Sequence, residues 1–146
     1  MRAAITEARL AADIGDVPVG AVAVFQGQII GRGHNRKEAD HDPTAHAEIL
    51  ALREAAEARG SWRLPGVVLY STLEPCPMCA GALIQARIET LVYAVDDPKT
   101  GAAGSVYDLL RAPFLNHRVT VIKGVLADEV EALMHDFFQA LRRGKP

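Results

Sequence analysis

A chain of 146 residues and 15.7 kDa, 49% apolar and 23% charged, has the size and composition of one ordinary soluble domain, and a fold of this length buries roughly 68–70% of its unfolded surface. Such a core needs no disulfide staple, so the two cysteines call for another explanation. A formal net charge of −2 and a pI near 6.2 exclude a domain whose whole surface grips nucleic acid and leave room for a local basic patch.

In chain order, Arg2 to Ile14 is alanine-rich, carries Ile5, Ala8 and Ala12 at helical spacing and stops at Gly15, which predicts a helix. Val19 to Phe25 is a short apolar run rich in valine, and Gln26-Gly27 turns it back into Gln28 to Gly33 as a hairpin. Asp42-Pro43 offers an N-cap and a first-turn proline for a helix that runs over Ala45 to Arg59 and ends at Gly60. Val67 to Leu73 is apolar on both faces, as a strand covered on both sides should be. Cys76 to Arg87 reads as a helix with prolines only in its first turn, and Leu91 to Val95 as a further strand, which together make a βαβ crossover with a parallel strand pair. Val119 to Ile122 supplies the last strand. From Ala127 to Arg143, residues Val130, Leu133, Met134, Phe137, Phe138 and Leu141 form one stripe, with acids at the start and arginines at the end, as the helix dipole prefers. The expected architecture is a single domain over residues 1–146, a three-layer α/β/α sandwich around a mixed sheet of about five strands. No window approaches the roughly 18 consecutive apolar residues of a membrane span, and the N-terminal MRAAITEARL is too polar for a signal peptide, so the expected compartment is the cytoplasm.

The chemistry concentrates in His46, Glu48, Cys76 and Cys79. A lone histidine at a helix start is ordinarily a cap or a core residue, and Cys-x-x-Cys alone also describes a redox pair. Together they say more. Cysteines at i and i+3 on a first helical turn point the same way, and the positive helix end favours both thiolates. A closed zinc site needs four protein ligands and would recruit two of His34, His41, His46, His117 and His135. A site of His46, Cys76 and Cys79 leaves the fourth position for water, the catalytic arrangement, and Glu48 then lies two residues from a ligand, within reach of that water. Taken alone, Glu48 is an acid that complements the helix dipole.

His-Ala-Glu followed by Pro-Cys-Pro-Met-Cys is the signature of zinc-dependent deaminases. The chain resembles the cytidine deaminase-like superfamily and, within it, the bacterial tRNA-specific adenosine deaminases of the TadA type. The resemblance runs through Asp16-Val-Pro-Val-Gly-Ala-Val22, Asn35-Arg36, Asp42-Pro-Thr-Ala-His-Ala-Glu48, Thr72-Leu-Glu-Pro-Cys-Pro-Met-Cys-Ala-Gly81, Lys99-Thr-Gly-Ala-Ala-Gly-Ser105, Asn116-His-Arg-Val119 and the Phe137-Phe138 helix. Met1 lies close to the first helix, where the family commonly carries a short leader. The resemblance implies one Zn2+ per subunit on His46, Cys76 and Cys79. It also implies Glu48 as the proton carrier for hydrolysis at C6 of adenine, first to N1 and then to the departing amine. Asn35 would bond the nucleoside and the Ala47 N–H would help fix the base, although on residues alone Asn35 is equally a turn residue.

The implied substrate is the wobble adenosine of an arginine tRNA, flipped out of the anticodon loop, and the implied assembly is a homodimer. Single-stranded loops with splayed bases are how RNA sequence is usually read. Arg36, Asp97, Lys99, Thr100, His117, Arg118, Phe138, Arg142 and Arg143 are the candidate RNA contacts. By its spacing the Phe137-Phe138 stripe is mostly core, and Arg142, Arg143 and Lys145 equally describe a solvated helix end. Three other readings stand beside this one: a deaminase of a free base, nucleoside or nucleotide of the guanine, cytosine or cytidine type; a zinc-stabilised RNA-binding module without catalysis; and a Cys76-Cys79 redox couple.

Overall fold

In a computed structural model, which describes residues 1–144, the chain forms α1 (Arg2–Asp13), β1 (Gly20–Phe25), β2 (Gln28–His34), α2 (Lys37–Asp40), α3 (Ala47–Arg59), β3 (Val68–Leu73), α4 (Pro77–Gln85), β4 (Thr90–Val95), β5 (Thr120–Lys123) and α5 (Ala127–Arg143). Lys145 lies outside the described residues. The five strands make one mixed sheet in the order β2-β1-β3-β4-β5. β1 runs antiparallel to β2 and β3, whereas β3, β4 and β5 are mutually parallel. α1 and α5 lie together on one face, and α3 and α4 on the other. The expected three-layer α/β/α sandwich is therefore the observed one, with the crossover β3-α4-β4 at its centre.

The main core lies between the sheet and the α3/α4 layer and gathers Ala47, Ala51, Leu52 and Ala55 of α3, Leu83 of α4, and Ala21, Ala23, Leu69, Leu91 and Tyr93 of the strands in one buried cluster. Small residues on both sides let helix and strand backbones approach closely. At Gly33 on β2 a Cβ would fall well inside contact distance of the Ala47 carbonyl oxygen and the Ala51 nitrogen. This strand thereby fixes how near the first turn of α3 sits to the sheet. At the start of β1, the buried Gly20 amide donates to Thr72 Oγ1 at 3.1 Å and locks β1 to the end of β3.

Several boundaries differ from the sequence reading. Asp42 does not cap α3: its Oδ1 accepts from the Thr44 amide at 2.8 Å and the Thr44 hydroxyl at 2.7 Å, closing a local Asx turn, and α3 begins only after His46. α4 ends at Gln85, two residues early, because Arg87 takes a left-handed φ of 62°. β4 begins one residue earlier than expected, at Thr90, and β5 is shifted by one residue to Thr120–Lys123 by its pairing of Thr90 with Thr120. The short α2 and a 3-10 turn at Leu109–Arg111 have no counterpart in the sequence reading. On α5 the stripe read as mostly core is largely uncovered. Val130 is its buried residue, and Phe138 and Leu141 are exposed, because α5 touches little besides β4 and α1.

Replacing Gly33 by alanine should push α3 off the sheet and cost about 1–3 kcal/mol, the usual range for overpacking a tight site. The midpoint of thermal unfolding followed by circular dichroism should fall accordingly. A midpoint equal to that of the parent protein would show that α3 gives way freely.

Candidate metal centre and active site

Two helices begin at one point. His46 occupies the capping position of α3 and Cys76 that of α4, both with extended backbone (φ −80°, ψ 150° and φ −74°, ψ 173°), while Cys79 lies in the first turn of α4. The parallel crossover places α4 at the carboxyl ends of the central strands, and the β2-α3 contact brings His46 to the same edge, where open α/β sheets collect ligands.

His46 Nδ1 lies 3.6 Å from Cys76 Sγ and 3.4 Å from Cys79 Sγ, and the three donor atoms fall within 4.8 Å of one another. A tetrahedral zinc with Zn–S near 2.3 Å and Zn–N near 2.0–2.1 Å separates an N and an S ligand by about 3.6 Å, so the donor set fits that ion in type and spacing. Among the described residues no other group of His, Cys, Asp or Glu gathers in this way. The other histidines are engaged elsewhere or distant from it: His34 faces Glu7 at 3.0 Å, His117 Nε2 lies 2.7 Å from the Ile88 carbonyl, and His135 is 3.7 Å from Asp136 on α5. His41 ends α2 on the exposed surface. Among the described residues the group thus offers three candidate protein ligands and no fourth.

Electrostatics prepare the donors. Hydrogen bonds from the Cys79 thiol, His46 and the Cys79 amide hold the Cys76 thiol down to about 4, so this sulfur is a thiolate at neutral pH. The hydrogen bond to Cys76, together with burial, pushes Cys79 far up, and the bond to the Cys76 thiolate raises His46. Glu48, one residue into α3 and 4% exposed, is pushed up to about 7 by loss of solvation. A carboxyl group balanced near neutrality beside a metal-ligand cluster is matched to moving protons in both directions.

These groups open into a cleft of about 180 Å³ lined by Val17, Val19, Asn35, Lys37, His46, Ala47, Glu48, Leu73, Glu74, Cys76, Asp97 and Thr100. That is below the roughly 300–1,000 Å³ of drug-sized pockets and leaves room for one flat heterocycle. Asn35 is 5% exposed, its Nδ2 donates to the Val17 carbonyl at 3.4 Å, and its Oδ1 is buried without a partner among the described residues. An orphaned acceptor of this kind costs stability unless something else donates to it.

Of the residues singled out in the sequence, His46, Ala47, Glu48, Cys76, Cys79, Asn35, Asp97 and Thr100 come together here. The others do not line the cleft. Arg36 is committed to Asp40 by a paired bond at 2.9–3.1 Å, His117 braces a backbone carbonyl, and Lys99, Arg118, Phe138, Arg142 and Arg143 lie on the exposed surface. The sequence reading missed Lys37 and Glu74 as lining residues. Lys37 offered no signal, because α2 has only four residues, and Glu74 was visible only as part of the cysteine motif.

Comparison with known proteins shows the following. A family model described as MafB19-like deaminase matches residues 1–142. The tRNA-specific adenosine deaminase of Bacillus subtilis (strain 168) is 47% identical over 145 residues, 99% of this chain and 90% of that protein. A solved structure from work on A-to-I editing by tRNA:A34 deaminases at the wobble position of transfer RNA superposes with a TM-score of 0.88 at 45% identity, covering 91% of this chain and 96% of the other. The guanine deaminase of Nitrosomonas europaea superposes with a TM-score of 0.75 at 28% identity, covering 92% and 80%.

Metal content of the purified protein should be one zinc per chain by elemental analysis. Cys76→Ala should lose it, since a three-ligand site cannot spare a thiolate. A metal-free wild-type protein with a reversible Cys76-Cys79 disulfide would establish the redox couple instead.

Proposed function

The chain belongs to the MafB19-like deaminase family, and we propose that it converts adenosine to inosine at the wobble position of a tRNA, an arginine tRNA by family resemblance, with release of ammonia. The observation that carries the chemistry is the buried, near-neutral Glu48 beside three metal-ligating side chains that have no fourth protein partner. The preference for a tRNA base over a free base is supported by the 47% and 45% identity to tRNA adenosine deaminases, against 28% to the guanine deaminase. The whole of residues 1–146 is read as one deaminase domain.

His46, Cys76 and Cys79 would hold the ion, one Zn2+ per chain. When bound, zinc acts as a Lewis acid and lowers the pKa of a water from 15.7 to about 7. The residues of the chain do the rest. Glu48 takes a proton from the attacking water and delivers it to N1 of adenine as the water oxygen bonds to C6; it then takes the second proton from that oxygen and passes it to N6 as the C6–N6 bond breaks, which leaves the C6 carbonyl of inosine and ammonia. Its pKa of about 7 makes the giving and taking forms comparably available. Asn35 orients the nucleoside through its unpartnered Oδ1, and the amide of Ala47 fixes the base. Val17, Val19 and Leu73 exclude water from the cleft floor. Lys37, Asp97 and Thr100 form its rim, and the exposed Lys99, Arg118, Phe138, Arg142 and Arg143 offer charge and one stacking surface to the rest of the anticodon loop. No helix among the described residues is long and apolar enough to cross a membrane, and the likeness to bacterial tRNA deaminases supports a cytoplasmic location.

The assembly is read as a homodimer. An apolar groove of about 340 Å³ between α3 and α4 is lined by Ile49, Leu52, Ala56, Leu64, Ala82 and Trp62, which is 60% exposed. A second copy laid there would cover it. By light scattering, the wild-type protein should have twice the chain mass, and Trp62→Glu should shift it toward the monomer, tryptophan being a common anchor of such contacts.

An inosine assay on an arginine-tRNA anticodon stem-loop, run beside free adenosine and guanine, tests the activity itself. The stem-loop should be converted and the free compounds should not. Glu48→Ala should retain zinc and lose about 10²–10⁴ in kcat, the usual share of a general acid–base. Efficient turnover of a free base with an untouched stem-loop would replace the tRNA reading with the free-base one.

A further inference from the structure

Glu74 follows the last residue of β3 and is 1% exposed, yet none of the described ion pairs involves it. Its carboxylate is met by donors from a single segment. Oε1 accepts from the Asp97 amide at 2.9 Å and from the Ser105 hydroxyl, and Oε2 accepts from the amides of Ala103 at 2.9 Å and Ser105 at 3.1 Å. Backbone bonds run alongside: the Glu74 amide donates to the Val95 carbonyl at 2.9 Å and the Ala102 amide to the Pro75 carbonyl at 2.8 Å. Gly101 passes so close that a Cβ there would collide with the carboxylate.

Residues 97–105 contain no helix or strand, only an isolated bridge from Ala103 to Asp108. The amides of Asp97, Ala103 and Ser105 would otherwise go to water or stay unpaired, and Glu74 gathers them instead. The same segment supplies Asp97 and Thr100 to the cleft. Two residues after Glu74 stands Cys76. One buried side chain thus spans the metal-ligand turn and the opposite wall of the cleft, and its oxygens are occupied by the wall.

We propose that Glu74 is a positioning residue for the deamination: by clipping residues 97–105 to the Cys76 turn it fixes the width of the cleft, and hence how an RNA adenosine is seated, without touching the base. This rests on the tRNA reading above for the identity of the substrate. In Glu74→Gln one carboxylate oxygen becomes an amide NH2, which cannot accept from the backbone N–H it faces, that of Asp97 in one orientation or those of Ala103 and Ser105 in the other, so part of the clip is lost in either orientation while shape and volume are kept.

The experiment compares wild type, Glu74→Gln and the milder Ser105→Ala, which removes the hydroxyl bond alone, by amide hydrogen exchange, zinc content and steady-state kinetics on the arginine-tRNA stem-loop. In Glu74→Gln the amide of Asp97, or those of Ala103 and Ser105, should exchange about tenfold or more faster, with β3 and β4 unchanged and one zinc retained, as expected for losing hydrogen bonds to a charged acceptor. KM should rise about tenfold and kcat fall by less than about threefold, the split that separates seating from chemistry. Ser105→Ala should move the same quantities in the same direction by about twofold to threefold, and it decides the question if Glu74→Gln does not fold. An unchanged KM, loss of zinc, or faster exchange spread evenly over β3 and β4 would overturn the proposal. Absence of inosine from the wild-type enzyme would instead overturn the tRNA reading, and the exchange data would still score the clip.

Discussion

Two helix N-termini meeting at one point is an electrostatically unfavourable arrangement, because each carries roughly half a positive charge and orphan N–H groups. The first turns of α3 and α4 converge at the His46-Cys76-Cys79 group, and neither capping residue supplies a side-chain cap bond to its own helix. What offsets the repulsion is negative charge, chiefly that of the Cys76 sulfur, with the acid Glu48 on the first turn of α3 adding to it in its ionised form. Those are also among the groups proposed above to hold the metal and to move protons. The same charges thus ease the junction of the two helices and furnish its proposed chemistry, and the glycine-lined contact of β2 with α3 sets how near α3 lies to the sheet.

Away from that junction the cleft is shaped by loops, and these are held by buried carboxylates that accept backbone amides. Asp16, 1% exposed, takes the Glu38 amide at 3.1 Å and the Ala39 amide at 3.2 Å, so α2 and Lys37 stay at the rim. Glu74 does the corresponding work on the opposite wall. Hydrogen bonds to an ionised acceptor are roughly twice as strong as neutral ones, and a loop pinned in this way stays ordered without the regular pairing of a strand. A narrow cleft with stiff walls discriminates by shape, which suits a site that admits one base.

The order of elements, the mixed sheet and the metal-ligand group were legible in the sequence because each rests on local signals: 3.6-residue and two-residue periodicity, prolines in the first turn of α4, cysteines at i and i+3. What was not legible depends on partners far along the chain. α2 is four residues long and is capped by Asp16, more than twenty residues earlier. Asp42 looked like a helix cap because Asp-Pro resembles one, yet its own Thr44 claimed it. Glu74 stood inside a recognisable motif, but its role lies in amides 23 to 31 residues downstream. The apolar period of α5 was read correctly as a stripe and wrongly as mostly core, since periodicity marks which face is apolar and says nothing about whether another element covers it.

The donors of the metal group are separated in the chain by thirty residues, from His46 to Cys76, and the far wall of the cleft comes later still, at Asp97 and beyond. During synthesis a nascent chain of the first seventy-five residues holds a single ligand and no site. The second and third arrive together on α4, whose place on the sheet depends on the pairing of β3 with β4, and the wall can be clipped only after β4 has left the ribosome. Assembly of the three-donor group is for that reason a late event, coupled to completion of the central sheet. A partly made chain of that length carries His46 but neither cysteine, so the three-donor group cannot close before the strands that position it exist.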